Sequence, residues 1–154
     1  MPEVRGCQFP EHLAFDEDCN LWFEPAGHDE YKIGITQYGA TLVGDIYMVN
    51  PKRVGRLVEI DEAFALIEVA KTILPMRVPF ELTITAINEE VQDRPFLINV
   101  KPFESWLIQA KFTDLNAAKS MMFSGQQFIQ NANRAMDLNR FQSLAEFEAE
   151  RKRS

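Results

Sequence analysis

The chain holds little of the material from which catalytic and metal centres are built: two cysteines and two histidines in 154 residues. Cys7 and Cys19 form neither a Cys-x-x-Cys pair nor a metal cluster, so in a reducing compartment they read as free thiols. His12 and His28 sit in turn-rich segments flanked by acids, with no cysteine or carboxylate at metal-ligand spacing. They read as solvated surface histidines. A glycine-rich phosphate loop is missing, as is a serine in a nucleophile elbow. Paired acids such as Asp61-Glu62 and Glu89-Glu90 read as solvated turns. These absences move the reading away from an enzyme and toward a non-catalytic carrier or interaction protein. Positive charge is scarce as well, with 16 Lys and Arg against 23 Asp and Glu and a net charge of −7. That balance argues against nucleic acid, whose phosphates need a basic face, and suits a protein that meets basic partner surfaces. No apolar run is long enough to cross a bilayer, and the segment holding Glu3 and Arg5 lacks an apolar signal core. The expected home is the cytoplasm, with no membrane partner.

What is present can fold. Hydrophobic residues make up 46% of the chain, enough for the core of one compact domain with room for an appended element. Residues 1–20 read as an irregular arm anchored by Cys7, Phe9, Leu13 and Phe15. Short strands follow at Leu21–Phe23, Tyr31–Thr36, Asp45–Val49 (stopped by Asn50-Pro51), Val54–Ile60, Glu81–Asn88 and Trp106–Phe112. Gly39 and Gly44 mark a tight region among them. Many short strands between glycine and proline turns give the pattern of a sandwich or barrel over residues 21–112. Beyond Phe112 proline disappears, and Leu115, Ala118, Met122, Phe128, Ile129, Ala132, Met136, Leu144 and Phe147 recur at helical spacing. Residues 113–154 thus read as a helical extension of two helices joined at Ser124-Gly125, whose Met and Phe stripe is packing surface.

Lys71 is the most telling residue. Within the apolar run Ala63–Leu74 only Glu68 and Lys71 carry charge. Burying an unpaired ammonium is costly, so Lys71 belongs where the chain turns back into solvent. Periodicity alone allows either a helix capped by Asp61-Glu62 or a buried hairpin, ended in both cases by Pro75 and Pro79. A lysine at a rigid hairpin tip suits a swinging prosthetic group. The plain alternative is a lysine that keeps a turn soluble.

Further motifs lie around Lys71 in a set order. After Trp22 come Ile33-Gly34-Ile35-Thr36-Gln37-Tyr38, Leu42-Val43-Gly44-Asp45-Ile46, Pro51-Lys52-Arg53-Val54-Gly55 and Ile67-Glu68-Val69-Ala70-Lys71-Thr72. Ala86-Ile87-Asn88-Glu89, Pro95-Phe96-Leu97-Ile98-Asn99, Pro102-Phe103 and Trp106-Leu107 complete the series. In this order residues 21–112 resemble the glycine-cleavage H protein, a lipoyl carrier. The resemblance implies a mainly β fold, a biotinyl/lipoyl-domain-like barrel-sandwich hybrid of short strands with a C-terminal pair of α-helices. It favours the hairpin for the ambiguous segment, with Lys71 at its turn. By the same resemblance Lys71 is the lipoyl attachment site, Glu68 is the acid read by the lipoylating enzyme, and the cofactor is covalent lipoate.

The arm Gly6-Cys7-Gln8-Phe9-Pro10-Glu11-His12-Leu13-Ala14-Phe15-Asp16, followed by Asn20-Leu21-Trp22, is similar to the start of H-like lipoate-binding proteins. Those are associated with a heterodisulfide-reductase-like system of sulfur oxidation. Partners implied are a lipoate ligase or lipoyl transferase, and either that reductase-like complex or the glycine cleavage P, T and L proteins, in a bacterial cytoplasm. Three functions stay open: a lipoyl carrier in sulfur oxidation, an aminomethyl carrier in glycine cleavage, and a non-lipoylated module that binds a partner complex. The third is motivated by departures from the family pattern. Pro79-Phe80-Glu81-Leu82 stands where the family has a glycine turn, the loop Lys101–Trp106 is short and lacks glycine, and Val69-Ala70 replaces Ser-Val. Cys7, within the shared arm, reads as a small buried thiol rather than a sulfur-handling group.

Overall fold

Short strands in the first three quarters of the chain build two antiparallel sheets that face each other, as the sandwich pattern requires. The computed structural model describes residues 2–153. The larger sheet has six strands: β3 (Ala14–Phe15), β4 (Leu21–Pro25), β5 (Glu30–Ile35), β7 (Leu57–Val58), β10 (Leu82–Ile87) and β11 (Trp106–Phe112), in the order β3-β4-β5-β11-β10-β7. The smaller has three: β6 (Met48–Pro51), β8 (Ala63–Glu68) and β9 (Ile73–Arg77), with β8 in the middle. Phe23, Ile33, Ile84 and Ile108 from the first meet Val49, Phe64 and Ile67 from the second in one buried cluster. A third pair, β1 (Glu3–Val4) and β2 (Cys7–Gln8), turns the arm into a hairpin. The mainly β expectation holds, and the ambiguous segment 61–74 is a hairpin.

Several boundaries differ, each for a physical reason. The tight region at Gly39 is a helix, α1 (Gln37–Val43), and Thr36 is its N-cap rather than the end of a strand. The Thr36 hydroxyl accepts from Gly39 N–H (2.9 Å) and donates to the Cys19 carbonyl (2.6 Å). Glycine at 39 lowers helix propensity and hid the helix. It is there because a Cβ would stand 2.8 Å from the Asn20 carbonyl oxygen. Glu89-Glu90 is not a plain turn but opens α2 (Glu89–Asp93), capped by Asn88, where acids suit the N-terminal dipole. A short α3 (Leu97–Val100) follows. The segment 54–60 keeps only Leu57–Val58 as strand. Pro51 is the last residue of β6, opposite Ala65, so that strand does end there, whereas Pro75 does not stop its strand and lies within β9 opposite Leu66. The bonds Lys52 N–H to Phe64 O and Val69 N–H to Thr72 O fix the alternation in both ladders. Both prolines fall at non-hydrogen-bonded positions, with their nitrogens facing away from β8. The lost turn glycine at 79–82 costs nothing, because no residue there takes a positive φ.

The C-terminal pair of helices is instead three: α4 (Leu115–Ser120), α5 (Gln126–Leu138) and α6 (Leu144–Arg153). The extra break follows Asn139, where Arg140 adopts φ 55° and Phe141 N–H returns to the Met136 carbonyl (2.7 Å). Phe128, Ala132 and Met136 of α5 pack with Cys7, Phe9, Phe15 and Cys19 of the arm, and with Trp22 and Tyr38, in a second core. Arg5 locks the arm to this extension. Its guanidinium donates to Asn133 Oδ1 (3.1 Å), the Phe141 carbonyl (2.9 Å) and Asp137 Oδ1 (2.7 Å). Leu144 N–H donates to the Arg5 carbonyl (2.8 Å).

Trp22 fastens the second core to the large sheet. Its indole N–H donates to the Pro102 carbonyl (3.0 Å), and its partner across the ladder is Gly34. A Cβ on Gly34 would collide with the Trp22 ring, so the indole occupies the space of the missing side chain. Gly34→Ala is expected to lower stability by about 1–3 kcal/mol through overpacking. It should read out as a lower urea midpoint at unchanged slope.

Candidate functional site

The β8–β9 hairpin carries Lys71 at its tip. Cross-strand pairs run from Ala63–Arg77 to Glu68–Ile73, with an irregularity between Ala63 and Ala65. Val69 N–H donates to the Thr72 carbonyl (3.0 Å) and closes a two-residue turn, Ala70-Lys71, exposed to solvent. The tip is held from below. Ile67 and Phe64 are fully buried, β6 pairs along the other side of β8 with Met48 opposite Glu68, and Tyr47 N–H donates to the Glu68 carbonyl (2.8 Å). Among the described residues no carboxylate pairs with the Lys71 ammonium. An exposed amine on a pinned turn, with no ion pair to break, fits the attachment of an acyl group in amide linkage. Glu68 is half-buried, three residues before the lysine on the same hairpin.

Sequence reading singled out Lys71 and Glu68 but not their surroundings. Residues opposite each other in a ladder share a face, so Met48, Glu68 and Ile73 form one row on the outer side of the small sheet, with Leu66 in the next. Met48 is 47%, Leu66 40% and Ile73 56% exposed. The signal was the alternation of Leu66 and Glu68 with Ile67, legible only once the run is known to be a strand. On the inner side, Ile67 and Met76 join Asn20, Ile35, Gly39, Leu42 and Val43 around an apolar pocket of about 170 Å³.

The opposite end of the small sheet is built by Glu62, which is not a plain turn acid. Its carboxylate accepts from Lys52 Nζ (2.8 Å), from Arg56 (2.7 Å) and from Glu59 N–H (3.0 Å). The Lys52 hydrogen bond, then the Glu59 N–H, hold it below the usual carboxylate range. His12 stands 3.2 Å from Glu24, and His28 is exposed. Among the described residues no three His, Cys, Asp or Glu side chains could together hold a metal ion, and no helix is long and apolar enough to cross a membrane.

Comparison with known proteins agrees with this arrangement. The family described as Glycine cleavage H-protein matches residues 13–134. A glycine cleavage system H protein 5 of Aquifex aeolicus is 31% identical over 143 residues, 90% of this chain and 91% of its own. The probable glycine cleavage system H protein 3 of Saccharolobus solfataricus is 30% identical over 76% of this chain and 84% of its own. A glycine cleavage system H protein of Bacillus cereus is 32% identical over 73% and 88%. The crystal structure of a glycine cleavage system H protein from Mycobacterium marinum superposes with a TM-score of 0.65 at 22% identity, over 85% of this chain and 98% of that one. That superposition supports the lipoyl-domain-like fold.

The two thiols stand apart from the hairpin. Cys7 and Cys19 are both free and fully buried. Burial first, then Glu148 and Glu3, push Cys7 up to about 12. Burial first, then Asp16 and Asp18, push Cys19 up to about 12. Thiols held protonated in this way are poor nucleophiles. Neither should react with an aromatic disulfide reagent at pH 8 in the native protein, while both should react in urea. Rapid native labelling of Cys7 would mark it as a chemical rather than a packing residue.

Proposed function

The chain belongs to the glycine cleavage H-protein family, whose members are lipoyl carriers rather than catalysts; from that premise we propose that Lys71 is its point of lipoate attachment and Glu68 the acid that the lipoylating enzyme reads. The observation that carries the proposal is the position of Lys71, exposed and unpaired by any described carboxylate at the tip of a hairpin whose strands are anchored by Ile67 and Phe64. Bound there, lipoate supplies a disulfide ring that reduction opens and oxidation closes. The protein's own residues do the rest. The lysine stem gives reach, the two-residue turn limits the volume the amine samples, and the sheet beneath holds the turn at a fixed place for each partner.

The relatives' names support glycine cleavage as the setting, with an aminomethyl group as cargo and the P, T and L proteins as partners. A sulfur-oxidation setting with a heterodisulfide-reductase-like complex rests on the N-terminal arm alone. The arm's packing gives Cys7 and Phe9 a structural task that needs no sulfur chemistry. A non-lipoylated module was motivated by the lost turn glycines. That motive weakens where the turn at 79–82 needs no left-handed residue.

Intact-mass analysis of protein made in cells with active lipoylation machinery is the test. Gain of one lipoyl group, abolished by Lys71→Arg, is the expected result. An unmodified mass beside a modified control H protein would sink the attachment claim.

A further inference from the structure

We propose that the outer face of the small sheet, Met48, Leu66 and Ile73 around Glu68, is the docking surface for the enzyme that acylates Lys71, a partner presenting an apolar patch with a basic rim. This rests on reading Lys71 as the acylated lysine. The three side chains share one face by their ladder pairings, and the Glu68–Ile73 pair lies one step from the pair that closes the tip. Each is 40% or more exposed, while their neighbours Ile67 and Val49 are buried. A sheet needs no aliphatic residues on a solvated face, so three together mark a surface that meets another.

Reaction geometry selects the occupant. The amine nitrogen of Lys71 attacks the acyl carbon of an acyl-adenylate. The N–C bond forms, the C–O bond to the phosphate breaks, and AMP leaves with the electron pair while the nitrogen's surplus proton goes to solvent. All of this happens at Nζ, so the enzyme must close on the hairpin tip itself, and a surface that reaches the tip covers the adjoining rows of the sheet. Enzymes that work on the far end of a loaded arm meet it a full lysine-plus-acyl length away and need not touch this face.

Charge selects the chemistry of the rim. Asp45 stands exposed just before β6, Glu68 lies within the face, and the exposed Glu89, Glu90 and Asp93 belong to α2, which packs against β6. Lys52, Arg56 and Arg77 lie at the other end of the sheet, away from the tip, while the exposed Arg94 ends α2 and Arg151 donates to the Thr41 carbonyl and lines a pocket with Asp45, which leaves the acids in excess. A basic rim on the partner would complement this end and speed encounter at low salt.

The experiment measures the initial rate of acylation by intact mass, using a lipoate–protein ligase with ATP and lipoic acid. Combined Met48→Ser, Leu66→Ser and Ile73→Ser is expected to lower kcat/KM about tenfold or more, chiefly through KM, as loss of an interface's apolar centre does. Wild-type KM should rise with added salt. Val54→Ser, Leu57→Ser and Ile60→Ser together, an exposed apolar group at the far end, should leave the rate unchanged. If the urea midpoint of the first triple variant falls, Ile73→Ser alone carries the expectation at about threefold. Acylation of the variant at the wild-type kcat/KM overturns the docking surface. A wild-type protein that gains no acyl group beside a modified control H protein overturns the attachment at Lys71 instead, so the two failures are distinct.

Discussion

Everything at the functional end depends on the register of β8 between β6 and β9. Side chains alternate along a strand, so a one-residue slip would turn Ile67 to water and bring Leu66 and Glu68 inward. Ile67 and Phe64 are fully buried, and a carboxylate in their place would meet a desolvation cost that no partner in the cluster could offset. The register is thus over-determined from inside the core, and the position of Lys71 follows from it. The group proposed at Lys71 would need a fixed pivot, and core packing rather than polar contacts at the tip sets where that residue stands.

The rest of the chain braces that pivot. Trp22 fills the hollow left by Gly34 and bonds Pro102, fastening the second core to the large sheet. Asn99 of α3 donates to the Gly44 carbonyl and accepts from Ile46 N–H, which ties the end of α1 to the approach of β6. Arg5 binds the arm to the extension through three donors, so the first and last segments form one packed body with α1. Cys7 and Cys19 serve there as small apolar residues.

Much of this was legible in the chain. The apolar run with one lysine near its end could only surface at a turn, and the ordered motifs made that turn a hairpin. Trp106–Phe112 was readable to the residue from its apolar and aromatic run, even though Leu107 and Ile108 are both buried and the register shifts beside them. What escaped was decided by tertiary contact. α1 contains a glycine that local propensity counts against a helix, yet packing on Asn20 requires it. The break between α5 and α6 falls at Asn139-Arg140, where no glycine announces it. The face of Met48, Leu66 and Ile73 was invisible because it draws on three strands, and only their pairing brings it together.

The two prolines of the small sheet have one more effect. Pro51 and Pro75 sit in its two edge strands with their nitrogens turned outward, so each rim lacks a donor where an incoming strand would need one. A protein that displays aliphatic side chains on a three-stranded sheet invites stacking of its own copies edge to edge. Here each edge lacks one such donor, which weakens that route on both sides. The acylating enzyme proposed to dock here would then meet side chains and the tip rather than a backbone edge.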